Sequence, residues 1–329
     1  MQRRDVLRLA ALSAGALATG RPSAALLQSD PSLRNPKRRV IDSHIHLFDP
    51  TRPGGIPWPD KTDTALYKPA LPERYEAMAA PFGVVGAIAV EASPLGSDND
   101  WLLKVVENNP VVVGAIGDLA PDALTYRTDL DRLHRNPLFL GFRYGNIWDR
   151  DLADDLKKPG FIEGIKALAQ AGLVFESANP DAKLIRALLE IAERVPGLRI
   201  VADHLPNAKI PAEPAALKEY QANLHRLAEH NSVFVKLSEI PVVTEGKLVK
   251  DGAYYRPRLD ALWDLFGEDR VIYGSDWPNS DHVASFADTW SIVIAYVATK
   301  SAAAAEKYYW KNSQAAYRWR PRRPGQPGE

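Results

Sequence analysis

Two imidazoles stand two residues apart at the end of Val40-Ile41-Asp42-Ser43-His44-Ile45-His46. The run before them is β-branched and apolar, which suits a buried strand, and residues two apart in a strand project to one side. His44 and His46 are therefore expected to point together from the carboxyl end of a strand, as half of a metal site. The chain has seven histidines and no cysteine. A metal would have only imidazole and carboxylate to bind, and disulfides and thiolate nucleophiles are excluded. Groups of the same chemistry close later apolar runs: Glu91, Arg143, Glu176, Asp203-His204, Lys236, Ser238-Glu239 and Asp276. Charged groups are costly to bury without partners, so their recurrence at strand ends points to a shared site. Glu176, Lys236 and Glu239 read equally well as salt bridges or loop caps; His204 and Asp276 do not.

Alternating elements must position these groups. Near-continuous apolar runs predict strands over 39–43, 84–91, 111–118, 138–143, 172–177, 198–203, 233–237 and 271–275, the pattern of parallel strands covered on both faces. Segments with apolar residues at helical spacing lie between them, such as 101–108, 161–171, 181–194 and 215–230. Eight such strands predict a (β/α)8 barrel, whose chemistry gathers at the carboxyl ends of its strands. An open doubly wound sheet is the alternative, but neither Gly-x-Gly-x-x-Gly nor a P-loop is present. Residues 50–72 are dense in proline and glycine and are expected as a loop beside the histidine pair; 239–256 is expected to cover the same face. A helix over 302–318 is expected to pack on the barrel exterior, followed by a flexible tail over 321–329.

The chain has 329 residues, 46% hydrophobic and 25% charged, with a formal net charge of zero. Such a balance gives no support for a nucleic-acid or acidic-membrane partner. Arg3-Arg4, an Ala-rich apolar run and the small residues Ser23, Ala24 and Ala25 read as a twin-arginine export signal over 1–25, with a linker over 26–38 and the barrel over 39–320. The expectation is a periplasmic protein with no membrane attachment after cleavage.

Asp42-Ser43-His44-Ile45-His46, Ala202-Asp203-His204 and Gly274-Ser275-Asp276-Trp277-Pro278 resemble the amidohydrolase superfamily, most nearly its amidohydrolase-2 branch, which includes sugar-acid and pyrone-dicarboxylate lactonases. Glu91-Ala92-Ser93, Gly141-Phe142-Arg143 and Val235-Lys236-Leu237-Ser238 are similar to the same branch. The resemblance covers residues 38–315 and implies a distorted (β/α)8 TIM barrel with a hydrolytic site. It implies His44 and His46 as the first-strand metal pair, His204 as the mid-barrel histidine, and Asp276 as general base and metal ligand. Arg143 would bind substrate carboxylate or hydroxyls, and Glu91 would serve either substrate or metal. Ser238 stands where a further histidine would build a second metal site, so the resemblance implies one metal at most, and some lactonases of the branch use none.

The expected reaction is the opening of a small lactone or related cyclic ester by water that Asp276 activates, assisted by one divalent metal, with zinc the first choice. Trp58, Tyr67, Trp148 and Tyr254 are candidates to stack on a sugar-like ring, although Trp148 reads more simply as lid packing. The alternatives are a non-oxidative decarboxylase and a silent module that binds sugar acids.

Overall fold

The computed structural model describes residues 33–328. The expected export signal, and the linker as far as residue 32, lie outside the described residues. Eight parallel strands run in chain order around a nearly closed barrel: β1 Val40–His46, β2 Val84–Val90, β3 Val112–Gly117, β4 Phe139–Arg143, β5 Val174–Ser177, β6 Arg199–Ala202, β7 Val233–Leu237 and, after a small hairpin of β8 Val243–Thr244 and β9 Lys247–Leu248, β10 Val271–Tyr273. Closure between the last and first strands is local. His46 N donates to Trp277 O at 2.7 Å, and Asp276 N donates to His44 O at 2.9 Å.

Side chains alternate across each strand, so they build two apolar layers. Ile41, Ile88, Val113, Val174, Val201 and Ile272 fill the barrel interior, while a larger layer packs the strands against the surrounding helices. Helix 182–194 shows why the sequence folds this way. Leu184, Ile185, Leu188, Ile191 and Ala192 recur at helical spacing and are buried, and the Asp181 carboxylate caps its start by accepting from Leu184 N at 2.8 Å.

The carboxyl-terminal segment departs from expectation. Tyr317 and Trp319 are buried with the interior layer, closing the barrel floor where exterior packing was predicted. The segment expected to be a flexible tail is laid beneath the barrel. Arg322 Nη1 donates to Val106 O and to Val112 O, both at 2.6 Å, and Gln326 Nε2 donates to Pro110 O at 2.9 Å. These polar side chains find carbonyls in the last turn of helix 98–108 and along the turn into β3, partners that composition does not reveal. No helix of the described residues is long and apolar enough to cross a membrane.

Candidate active site

The two motifs that stand furthest apart in the chain are interlocked. Asp42 is fully buried; its Oδ1 accepts from Ser275 N at 2.8 Å and from His44 N at 3.2 Å, and its Oδ2 accepts from the Tyr75 hydroxyl at 2.7 Å. Ser43 donates to Tyr273 O at 2.5 Å. Gly274 permits the approach, since a Cβ there would lie 2.8 Å from that of His44. The outcome is that Asp276 faces His44 and His46 across the barrel seam.

Asp276 Oδ1 lies 3.2 Å from His46 Nε2, 3.4 Å from His44 Nε2 and 4.0 Å from His204 Nε2. Its other oxygen accepts from Asn279 Nδ2 at 2.7 Å. Three rim residues, His204, Glu239 and Asp276, hold left-handed φ values of 56°, 50° and 60° just beyond their strands. This conformation costs a non-glycine residue roughly 1–2 kcal/mol and turns the chain out of the pleat, so the side chains enter the cavity.

Each histidine has a second partner that bears on its tautomer. His46 Nδ1 donates to the carbonyls of Val90 and Glu91 at 3.1 and 3.0 Å, leaving Nε2 as a lone pair toward Asp276. Burial, reinforced by Arg143, lowers this imidazole to about 4, so it is neutral near pH 7. His204 Nδ1 lies 2.8 Å from Ser238 Oγ, so Nε2 carries the proton when the hydroxyl donates. Burial lowers its pKa against the pull of Glu239 and Asp276. His44 Nδ1 is 3.0 Å from Lys236 Nζ and 3.5 Å from Asp203 Oδ2. A charged Lys236 can only donate, which puts the neutral ring's proton on Nε2. The ring presents Nε2 as a lone pair when its Nδ1–H turns to Asp203. Burial, with Lys236 next, holds the His44 pKa well below its usual value. Asp276 is pushed up to about 7, chiefly by burial.

The residues fit a divalent metal. Ligands about 2.0–2.2 Å from a tetrahedral zinc stand about 3.4 Å from one another. The His44–His46 nitrogens are 3.3 Å apart, and with Asp276 Oδ1 they form a triangle whose other sides are 3.4 and 3.2 Å. Asp276 Oδ1 is buried and has no hydrogen-bond donor. An orphaned acceptor beside two imidazole nitrogens is what an ion would satisfy.

The other sequence-predicted residues divide into two groups. Glu91 and Arg143 are buried together: Glu91 Oε1 accepts from Arg143 Nε at 2.7 Å, and Oε2 accepts from Trp148 Nε1 and Ser93 N, each at 3.0 Å. Both carboxylate oxygens are occupied, and Glu91 reaches the site through its main chain, which accepts from His46 Nδ1 and from Arg143 Nη2 at 3.0 Å. Below the histidines lies a buried polar chain. Lys236 Nζ donates to Glu176 Oε1 at 2.6 Å and sits 3.1 Å from Asp203 Oδ1, while the Tyr317 hydroxyl donates to Glu176 Oε2 at 2.6 Å. Burial, then Asp203, raises Glu176 to about 7. Asp42 and Ser43 gain their tasks only from partners more than 200 residues away, and nothing local marks Tyr317 as entering the barrel from below.

A cavity of about 880 Å³ opens above the cluster, with His46, Arg143, His204 and Asp276 at its base. Trp58 lies on one side, its ring 5.7 Å from that of His46, so the proline-rich loop forms a wall. Trp148, expected as lid packing, forms another through its bond to Glu91. Tyr67 and Tyr254 are not among the cavity's lining residues.

A sequence model of the Amidohydrolase family matches residues 41–319. An L-fucono-1,5-lactonase from Burkholderia ambifaria is 32% identical over 250 residues, 75% of this chain and 83% of that protein. One from Burkholderia multivorans is 28% identical over 291 residues, 84% and 94% of the two chains. A crystal structure of an amidohydrolase from Burkholderia multivorans with bound zinc superposes with a TM-score of 0.74 at 22% identity, covering 85% of this chain and 99% of that one.

Proposed function

The chain belongs to the amidohydrolase family, and from that membership we propose that it is a hydrolase that opens a small lactone with Asp276 as the base. The observation that carries the mechanism is Asp276 Oδ1, buried and without a donor, with imidazole nitrogens at 3.2, 3.4 and 4.0 Å. His44, His46 and Asp276 would hold one divalent ion, zinc by preference, which when bound lends acidity to a water and polarises the carbonyl. Asp276 accepts the proton as the water oxygen bonds to the carbonyl carbon. His204, donating from Nε2, stabilises the charge that grows on the carbonyl oxygen, a contribution of roughly 3–4 kcal/mol for one well-aimed donor. The bond from that carbon to the ring oxygen then breaks. The proton on Asp276 passes to the ring oxygen, and a hydroxy acid leaves.

The cavity's charges favour a neutral, hydroxylated lactone over a dicarboxylate. Arg143 is paired with Glu91 at 2.7 Å, and Arg150 is paired with Asp118, while Asp149, Asp151, Asp181 and Glu239 also line the space. Arg143 therefore holds the wall in place and offers little free charge to a substrate anion. The curated relatives' names support the same choice, since both are called L-fucono-1,5-lactonase. The twin-arginine start extends the reading to an exported enzyme, which cell fractionation tests.

The assay is acid release from a panel of neutral 1,5-lactones by purified protein, with zinc supplied and with chelator. Ring-opened acid is expected. Carbon dioxide in its place, or no turnover of any lactone with zinc present, would remove the assignment.

A further inference from the structure

The reacting groups occupy one end of the cavity, and the other end is built as carefully. Its volume of about 880 Å³ lies toward the upper end of the roughly 300–1,000 Å³ of pockets that enclose drug-sized ligands. A single lactone ring at Asp276 fills a small part of it. The far wall comes from the loops after β4, β5 and β6, and these are tied to one another. Asn179 Nδ2 donates to Asn146 O at 2.8 Å, and Lys209 N donates to Pro180 O at 2.9 Å. The wall is thus set before any ligand arrives.

Two features of this wall bear on what it could hold. Trp148 and Asp149 are consecutive residues in the left-handed region, both with φ of 58°. Successive non-glycine residues there are strained, and such strain concentrates at ligand-holding positions. The strain sets the Trp148 indole at the cavity edge with its Nε1 on Glu91 at 3.0 Å. The Asp149 carboxylate and the Lys209 ammonium line the cavity from solvent-exposed positions, and neither side chain has a protein partner among the described residues, so both are open to a ligand at the cavity mouth. An aromatic face flanked by one free acceptor and one free donor is a setting for a sugar ring, which presents an apolar face and a rim of hydroxyls.

We propose that the enzyme's substrate has two parts, the lactone at Asp276 and a second, glycosidically attached sugar held by Trp148, Asp149 and Lys209; the substrate class is the 1,5-lactone of a disaccharide aldonic acid. This rests on the lactonase reading above and narrows it. The test compares kcat/KM for fucono- and galactono-1,5-lactone with that for lactobiono- and cellobiono-1,5-lactone, zinc supplied. At least one disaccharide lactone is expected to exceed both monosaccharide lactones by tenfold or more. Asp149→Ala and Lys209→Ala should each bring that ratio toward one through a higher KM for the disaccharide lactone. Inhibition of the wild-type enzyme by lactobionate and by gluconate is the second measurement, independent of the variants' folding, with lactobionate expected to bind at least tenfold more tightly. Wild-type ratios at or below one, or equal inhibition by the two acids, overturn the two-part site while the lactonase stands. Failure to open any lactone of either kind removes the lactonase itself.

Discussion

Replacing Asp276 with asparagine should cripple the enzyme and stabilise its metal-free fold at the same time. The side chains are nearly isosteric, and Asn279 Nδ2, now 2.7 Å from Asp276 Oδ2, keeps an acceptor if the new amide turns its oxygen that way. What is lost is the proton acceptor, and a positioned general base contributes about 10²–10⁴ in rate. Loss of a metal ligand adds to this. The stability effect follows from linkage. Burial raises the Asp276 carboxyl from its ordinary 3.8 to about 7 in the absence of metal. Between those values the folded chain binds more protons than the unfolded chain, so this group's contribution to stability falls as pH rises, and the deficit is complete above about pH 7. Raising this carboxyl from 3.8 to about 7 corresponds to roughly 4 kcal/mol at most. The asparagine variant should therefore melt several degrees higher than wild type at pH 8 in chelator, and no higher below about pH 4. Zinc should stabilise the wild type and do far less for the variant. The checks are lactone turnover and thermal unfolding from pH 4 to 8, each with zinc or chelator. Turnover within tenfold of wild type would refute the base, and a variant that melts lower at pH 8 would refute the electrostatic argument.

Three other perturbations follow from the geometry. Asp42→Ala strands the buried Ser275 N and Tyr75 hydroxyl, at about 1–3 kcal/mol for each unsatisfied group; it should lower both melting temperature and kcat, whereas Asp42→Asn, which keeps an acceptor, should recover much of each. Glu91→Gln leaves the Arg143 guanidinium without its carboxylate, at a cost of about 3–5 kcal/mol; citrate, which wild type should ignore, should become a measurable competitive inhibitor. Truncation after Arg320, which keeps Trp319 in the barrel floor, removes the Arg322 and Gln326 bonds to the carbonyls of Val106, Pro110 and Val112, and a clear drop in melting temperature is expected, readable by calorimetry. An unchanged melting temperature would show that the barrel floor does not depend on that strap.

The barrel was legible because parallel strands buried on both faces must be apolar throughout. Runs such as Val233–Leu237 carry that requirement in one dimension, and the observed strand has the predicted bounds. Errors at other strand ends ran in both directions: β1 extends through His46, three residues beyond its expected end, while the last strand stops at Tyr273, two residues short of its expected end. Chain beyond the last ladder bond bends away to aim a functional side chain, as at Gly274-Ser275-Asp276, and residue type does not mark where the bend begins. His44 and His46 were legible as a pair because a strand's period of two is a local rule. Composition and local periodicity thus carried the eightfold alternation, the absence of thiol chemistry, and a supply of imidazoles and carboxylates at strand ends. Which of them meet is settled by packing through space. Asp42 clasps Ser275 across 233 residues, Tyr317 reaches Glu176 from beneath, and Arg143 is spent on Glu91 within the wall. Those pairings are set by barrel closure and by distances through space, and charge satisfaction in a dry interior is a property of neighbours that chain order does not encode locally.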